Sequence, residues 1–181
     1  MEQGAILQDV AALHVRLGRA SMPMVGGGPS VSTQIAALRR LLFGWETKDK
    51  ETGFWFKQAS EGVVPLVIDV DSADVMASLL IMKLEVEDRI GSTMRMVFSG
   101  ASEAHLLAKE IGDANVGVIL RPSRPFPLAW DQRRILPGPP LTSETNLVKL
   151  LRNGVVAALG VSEACEARNM RFDIQWVGEL I

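Results

Sequence analysis

Apolar positions along this chain fall into short continuous runs separated by stretches of helical period. The clearest run is Val64–Asp74, V-P-L-V-I-D-V-D-S-A-D, a Pro-headed series of β-branched and aliphatic residues that ends in Asp69 and Asp71. A helix-like pattern follows it at once. Comparable runs stand at Val10–Leu17, Met94–Ser99, Val116–Leu120 and Val155–Leu159. Runs that are apolar throughout, instead of alternating, predict strands buried on both faces, as in parallel sheets. Between them the spacing turns helical. Ile35, Leu38, Leu41 and Leu42 share one face behind a capping Ser30. Val75, Met76, Leu79, Leu80 and Met82 form the core face of a long helix over Ser72–Ile90. Shorter helices are predicted over Glu103–Ile111, capped by Ser102 or Ser99, and over Asn146–Leu151. Gly44, Gly91, Gly112 and Gly154 stand where these helices should stop. Trp45–Gly62 opens with charged residues and then carries Phe54, Trp55 and Phe56, which predicts a surface loop and a short helix docked by its aromatics. Strands alternating with helices in this way define a parallel α/β domain.

In such folds the chemistry sits at the carboxyl ends of the strands. The side chains delivered there are Asp69 and Asp71, then Ser99, Arg121, Ser162 and Glu163. One connection is much longer than the rest. Arg121–Leu141 contains Pro122, Pro125, Pro127, Pro137, Pro139 and Pro140 and leaves the same edge. A connection of that length is usually functional or mobile. Arg121, Arg124, Trp130, Arg133 and Arg134 on it are expected to form either a lid and anion-binding wall, or a Pro-stiffened crossover whose arginines pair with Asp131 and nearby backbone.

Three readings compete for Asp69 and Asp71. Paired carboxylates suit a hard cation such as Mg²⁺ or Mn²⁺, and suit zinc only weakly without imidazole. An apolar strand ending D-x-D also resembles the haloacid-dehalogenase phosphatases, although Ala73 stands where that family has Thr. The third reading is structural: Asp71 caps the helix beginning at Ser72 and Asp69 pairs with a neighbour. His105 lies in a helix among Ala104, Leu106 and Leu107, and His14 in the first strand, so neither completes a metal motif. Gly26–Gly28 offers backbone N–H groups to a phosphate at the next helix, or is an ordinary turn.

Composition narrows the picture further. The 181 residues have the length of a single domain, here 1–181, with 48% hydrophobic and 22% charged residues. A net charge of -2 without a basic stripe gives no reason to expect nucleic acid or an anionic membrane as partner. Cys165 is the sole cysteine and reads as a small buried apolar residue. No apolar run approaches the roughly 20 residues needed to span a bilayer. The amino terminus lacks the features of a signal peptide, so a cytoplasmic location is the default expectation.

Four longer strings carry a resemblance. They are G-G-G-P-S-V-S-T-Q-I-A-A-L-R-R-L-L at Gly26–Leu42, P-L-V-I-D-V-D-S-A-D at Pro65–Asp74, the Pro- and Arg-rich Arg121–Leu141, and Ala158–Asp173. Together they resemble the later part of an amidohydrolase-superfamily barrel, in its imidazolonepropionase-like branch. The resemblance implies a partial TIM-type (β/α)₈ barrel, about strands four to eight with their helices. It also implies hydrolysis of non-peptide C–N bonds, of cyclic amide type, by a metal-activated water. The family holds a zinc-type divalent metal with H-x-H on the first strand, histidines on the fifth and sixth, and an Asp after the eighth. Here the early strands are expected to be missing. Asp69 and Asp71 occupy the fifth-strand positions, Ser99 the sixth-strand position and Ser162 the eighth-strand position.

Serine is a poor zinc ligand, so a weak or absent metal and a degenerate hydrolase are expected. Residual activity would rest on Asp71 as metal ligand or general base, Asp69 as its partner and Arg121 as anchor for a small-molecule substrate. Arg124, Trp130, Ser99 and Ser162 would line the same mouth. Five strands cannot close an eight-stranded barrel, which predicts a homo-oligomer, a complementary barrel half, or a non-catalytic interaction module. A Mg²⁺-dependent D-x-D phosphatase is the remaining alternative.

Overall fold

The computed structural model describes residues 10–18, 28–44, 49–127 and 130–178. Each apolar run becomes a strand that starts one to three residues later, and the third runs one residue further, to Gly100. The strands are β1 Leu13–Arg16, β2 Leu66–Val70, β3 Met96–Gly100, β4 Gly117–Leu120 and β5 Ala157–Leu159. All pair in parallel, in the order of the chain, β1-β2-β3-β4-β5. A sheet whose strand order never reverses is wound one way only. Because parallel crossovers are right-handed, its helices gather on a single face. That separates a partial barrel from a doubly wound sheet, in which the order reverses and both faces are covered.

The helical face holds the core. Leu66, Ile68 and Val70 of β2, Met96 and Phe98 of β3, and Val118 and Leu120 of β4 point into it and are buried. Met76, Leu79 and Val86 of α3 (Ala73–Ile90) meet them with no exposed surface. Each such side chain contributes about 1.5–3 kcal/mol by leaving water. The other face carries two rows in register, His14, Val67, Val97 and Gly117, and then Asp69, Ser99, Ile119 and Ala158. This face corresponds to the inside of a barrel. Among the described residues no helix lies over it, and Val156 beside it is 79% exposed.

Local chemistry sets most helix ends. Ser30 Oγ accepts the Thr33 N–H at 3.2 Å and starts α1 (Val31–Leu42), and Gly44 follows it with φ +75°. Asp49 accepts the Glu51 N–H at 3.1 Å and starts α2 (Lys50–Ser60). There Phe56 is buried, Phe54 is exposed, and Trp55 meets Phe54 edge-on at 5.1 Å. Thr145 Oγ1 accepts the Val148 N–H at 3.2 Å and starts α5 (Asn146–Arg152). A 3₁₀ turn, Ala164–Asn169, and α6 (Met170–Gly178) follow β5. No described helix is long and apolar enough to cross a membrane.

Three expectations need correction here. The helix expected over Glu103–Ile111 is split into a 3₁₀ turn, Ala104–Leu107, and α4, Ala108–Asp113, without a serine cap. Gly112 does not stop it; the left-handed residue is Asn115, at φ 51°. Gly112 is there for space, because a Cβ would lie 2.4 Å from the Asn153 carbonyl oxygen. Cys165 is exposed, because the 3₁₀ turn that carries it has no layer above it among the described residues. The Gly26–Gly28 phosphate reading falls mainly outside the described residues.

Gly112 gives a test with a definite sign. In an open helix, Gly→Ala stabilises by about 1 kcal/mol. Here Gly112→Ala must push the α5–β5 connection aside, and is expected to destabilise by roughly 1–3 kcal/mol. Urea denaturation of the variant beside the parent protein measures the sign.

Candidate functional site at the carboxyl edge

β2 delivers Asp69 and Asp71 to the edge on the face away from the core. Both lean over the end of β3, where Gly100 has φ +85°. A Cβ there would stand 3.0 Å from Asp71 Oδ1 and 3.3 Å from Asp69 Oδ1. Only glycine allows the two carboxylates to converge so closely on the strand end. They form part of a cleft of about 400 Å³ that Arg16, Arg121, Gln132 and Ser162 also line.

The two carboxylates are satisfied differently. Asp69 lies between two guanidinium groups: Arg16 Nε donates to Oδ2 at 2.7 Å and Arg121 Nη2 to Oδ1 at 3.0 Å. Register puts Arg16 opposite Asp69 across the β1–β2 pair. Asp71 is held by neutral donors. Ser102 gives its hydroxyl at 2.7 Å and its backbone N–H at 3.2 Å to Oδ1, and Gln132 gives Nε2 to Oδ2 at 2.9 Å. Asp69 therefore pairs with neighbours as its structural reading expected. Asp71 does not cap α3, because its oxygens face β3 and the long connection.

The capping role falls to Glu103, which sequence reasoning overlooked. It is 1% exposed, and its Oε2 accepts the Ala73 N–H at 3.0 Å. Arg134 supplies its counter-charge, with Nε at 3.0 Å and Nη2 at 2.6 Å from Oε2 and its backbone N–H at 3.0 Å from Oε1. Burial by itself would raise the Glu103 pKa, but the Arg134 and Ala73 hydrogen bonds outweigh it and hold it below the ordinary carboxylate value. Arg134 is raised in turn, first by its hydrogen bond to Glu103. Arg134 also reaches Asp74 at 3.1 Å.

The remaining candidates do not share one mouth. Ser162 lines the cleft. Ser99 is paired with Asp69 in register but lies off the cleft lining. Arg124 turns away to Asp173 at 2.9 Å and stacks 4.6 Å from the Trp176 ring. Arg124 and Asp173 border a neighbouring cleft of about 410 Å³ with Ser123 and Phe172. Trp130 is exposed beneath the Arg133 guanidinium, 4.0 Å from its ring. Among the described residues of the connection, Arg121, Arg124 and Arg134 are each paired with a carboxylate and Arg133 stacks on Trp130, so they do not line up as a row of unpaired arginines. Those partners are Asp69, Asp173, Glu103 and Asp74, not Asp131. The long connection also has structure of its own, a 3₁₀ turn at Trp130–Gln132 and a bridge from Pro137 to Thr145.

The donor set does not suit zinc. The cleft lining has neither histidine nor cysteine among the described residues, and the oxygens of Asp69 and Asp71 already accept protein donors. His14 lies on the open sheet face. His105 is buried in the outer layer, where burial first and then Lys149 hold its pKa below the ordinary value. No described group of three or more histidine, cysteine, aspartate or glutamate side chains is placed to hold a metal ion.

A one-way-wound parallel sheet with a polar cleft at its carboxyl edge is the architecture of barrel enzymes. No protein-family model matches the chain. Over 129 residues, 62% of its length, it is 39% identical to amidohydrolase tasK of Hapsidospora irregularis, and it spans 13% of that protein. Its fold matches the crystal structure of an amidohydrolase from Thermotoga maritima MSB8 with a TM-score of 0.63, over 85% of this chain and 42% of that one. At 16% identity the second match speaks for the fold alone. The chain is thus similar in sequence to part of one amidohydrolase, and its fold is a partial barrel.

Glu103→Gln removes the charge that Arg134 faces and leaves a donor among donors. The carboxylate of this pair is buried but the guanidinium is partly exposed, so a loss of roughly 1–3 kcal/mol is expected in urea denaturation near neutral pH. Because the folded pKa of Glu103 lies below the unfolded one, its stabilisation is complete above the unfolded value. It is lost as pH falls through the folded value. The gap between parent and variant should therefore close below about pH 4.5, as a series of denaturation curves would show.

Proposed function

We propose that this chain is an amidohydrolase-derived partial barrel that binds a small polar ligand at its carboxyl edge without building the family's metal centre from its own residues. The observation that carries this reading is the occupation of both carboxylates. Asp69 is neutralised by Arg16 and Arg121, and Asp71 is held by Ser102 and Gln132. A cation entering the cleft would have to displace two guanidinium groups from Asp69 and would find no imidazole to complete its shell. The same geometry weighs against a D-x-D phosphatase, whose nucleophile needs an uncommitted oxygen facing the phosphate.

The groups present suit recognition of a molecule with both anionic and N–H functions. Arg16, 78% exposed at its side chain, and the partly exposed Arg121 can meet the anionic part. Asp71 accepts an N–H, as it does from Gln132, and the exposed Phe126 offers an apolar platform at the mouth. Should any hydrolysis occur, Asp71 is the residue best placed to take a proton, because no cation holds it. A second reading, an interaction module, is supported by the uncovered sheet face with its Val97, Ile119 and Ala158.

The test is elemental analysis of the protein desalted after incubation with zinc and manganese, with light scattering for its mass. Well under one equivalent of either metal per chain is expected. About one equivalent, lost in Asp71→Ala, overturns the reading. A discrete dimer or larger species without metal favours the interaction module.

A further inference from the structure

We infer that Trp130–Arg134 is a hinged strap over the carboxyl-edge cleft, anchored by Arg134 on Glu103 and closed by Gln132, which occupies Asp71 as an internal plug. The inference rests on the proposed reading of the cleft as a ligand site.

The strap is attached to the domain by polar groups. None of the described residues of 121–137 belongs to the buried set, so no fully buried apolar side chain anchors the segment. Segments with few buried apolar contacts open locally at low cost. Among the described residues its hydrogen-bonded attachments, at Arg134 and at Gln132, are very unequal. At one end Arg134 gives Glu103 its backbone N–H and two guanidinium hydrogen bonds inside the protein, and reaches Asp74 outside. At the other end Gln132 gives Asp71 a single hydrogen bond. Between them the turn is braced on itself, with the Arg133 guanidinium over the Trp130 ring. A short braced segment fixed firmly at one end and lightly at the other pivots about the firm end.

Opening would change one carboxylate and spare the other. Asp71 Oδ2 loses its donor and faces the cleft, while Oδ1 stays with Ser102. Asp69 keeps both arginines, which come from β1 and from the end of β4 and lie outside the strap. The carboxamide of Gln132 thus stands where a ligand's N–H would bind, and a ligand must displace it.

Carboxyl labelling with a water-soluble carbodiimide and glycine ethyl ester, read by peptide mass spectrometry, tests this on the intact chain. Gln132→Ala is expected to raise Asp71 labelling several-fold, with Asp69 and Glu87 unchanged. Glu87 serves as the reference because Lys83 and the Met94 N–H hold it in α3, away from the cleft. Arg134→Gln is expected to raise Asp71 as well and to make Glu103 reactive, with Glu87 still unchanged. Asp71 labelling equal to the parent's in either variant overturns the strap, as does a rise in step with Glu87. Stoichiometric zinc would overturn the proposed function and leave these rates as they are, so the two failures are distinguishable.

Discussion

The arrangement at the carboxyl edge depends on one buried carboxylate. Glu103 is removed from water, and an ion in that position is tolerated only when its charge and lone pairs are met. The donors that meet them come from two places distant in sequence, the first turn of α3 and the long connection after β4. The residues just before it extend the tie. Ser102 holds Asp71, and Asn146 at the start of α5 gives its amide to the carbonyls of Ala101 and Ser102 at 3.1 and 3.2 Å. Ala101 takes a left-handed conformation, φ 54°, to turn the chain there. Three residues after β3 thereby join the exits of β2 and β3 to two helices and the strap.

The one-way winding explains where that junction lies. With helices on a single face, every strand leaves the sheet at the same edge and turns outward over it. Connections from β2, β3 and β4 therefore meet above the strand ends, and their polar groups must satisfy one another there. The opposite face receives none of this cover. Its apolar residues are placed as in the interior of a closed barrel, and the match to 42% of a barrel amidohydrolase fits that placement.

The architecture was legible in the sequence because burial on both faces leaves a mark in the chain, the unbroken apolar run. Ser30, Gly44, Gly91 and Gly154 marked helix ends for equally local reasons. The site was legible only in part. Asp69, Asp71, Arg121 and Ser162 announce themselves by standing at strand ends, and the fold brings them together. Arg16 also ends a strand, but its role comes from register with Asp69, which sequence does not display. Gln132 and Glu103 carried no signal, since their partners lie 61 and 31 residues away. Gly112 and Cys165 were misread for a related reason: a close approach and an uncovered turn are tertiary facts.

The division of labour between the two aspartates follows from electrostatics. Their nearer oxygens lie 3.0 and 3.3 Å from the same point above Gly100. Two such charges, at most about 6 Å apart, repel by roughly 3 kcal/mol or more at an effective dielectric of about 20. This edge carries two anions side by side, so counter-charge has to be supplied. Arg16 and Arg121 supply it to Asp69 alone, which leaves that pair of arginines with one positive charge in excess. That excess offsets the repulsion on Asp71, whose own partners are uncharged dipoles. Asp71 is therefore held at this edge by uncharged donors, without being locked to a cation. The strap's reach to Asp71, and not to the more firmly paired Asp69, is the consequence.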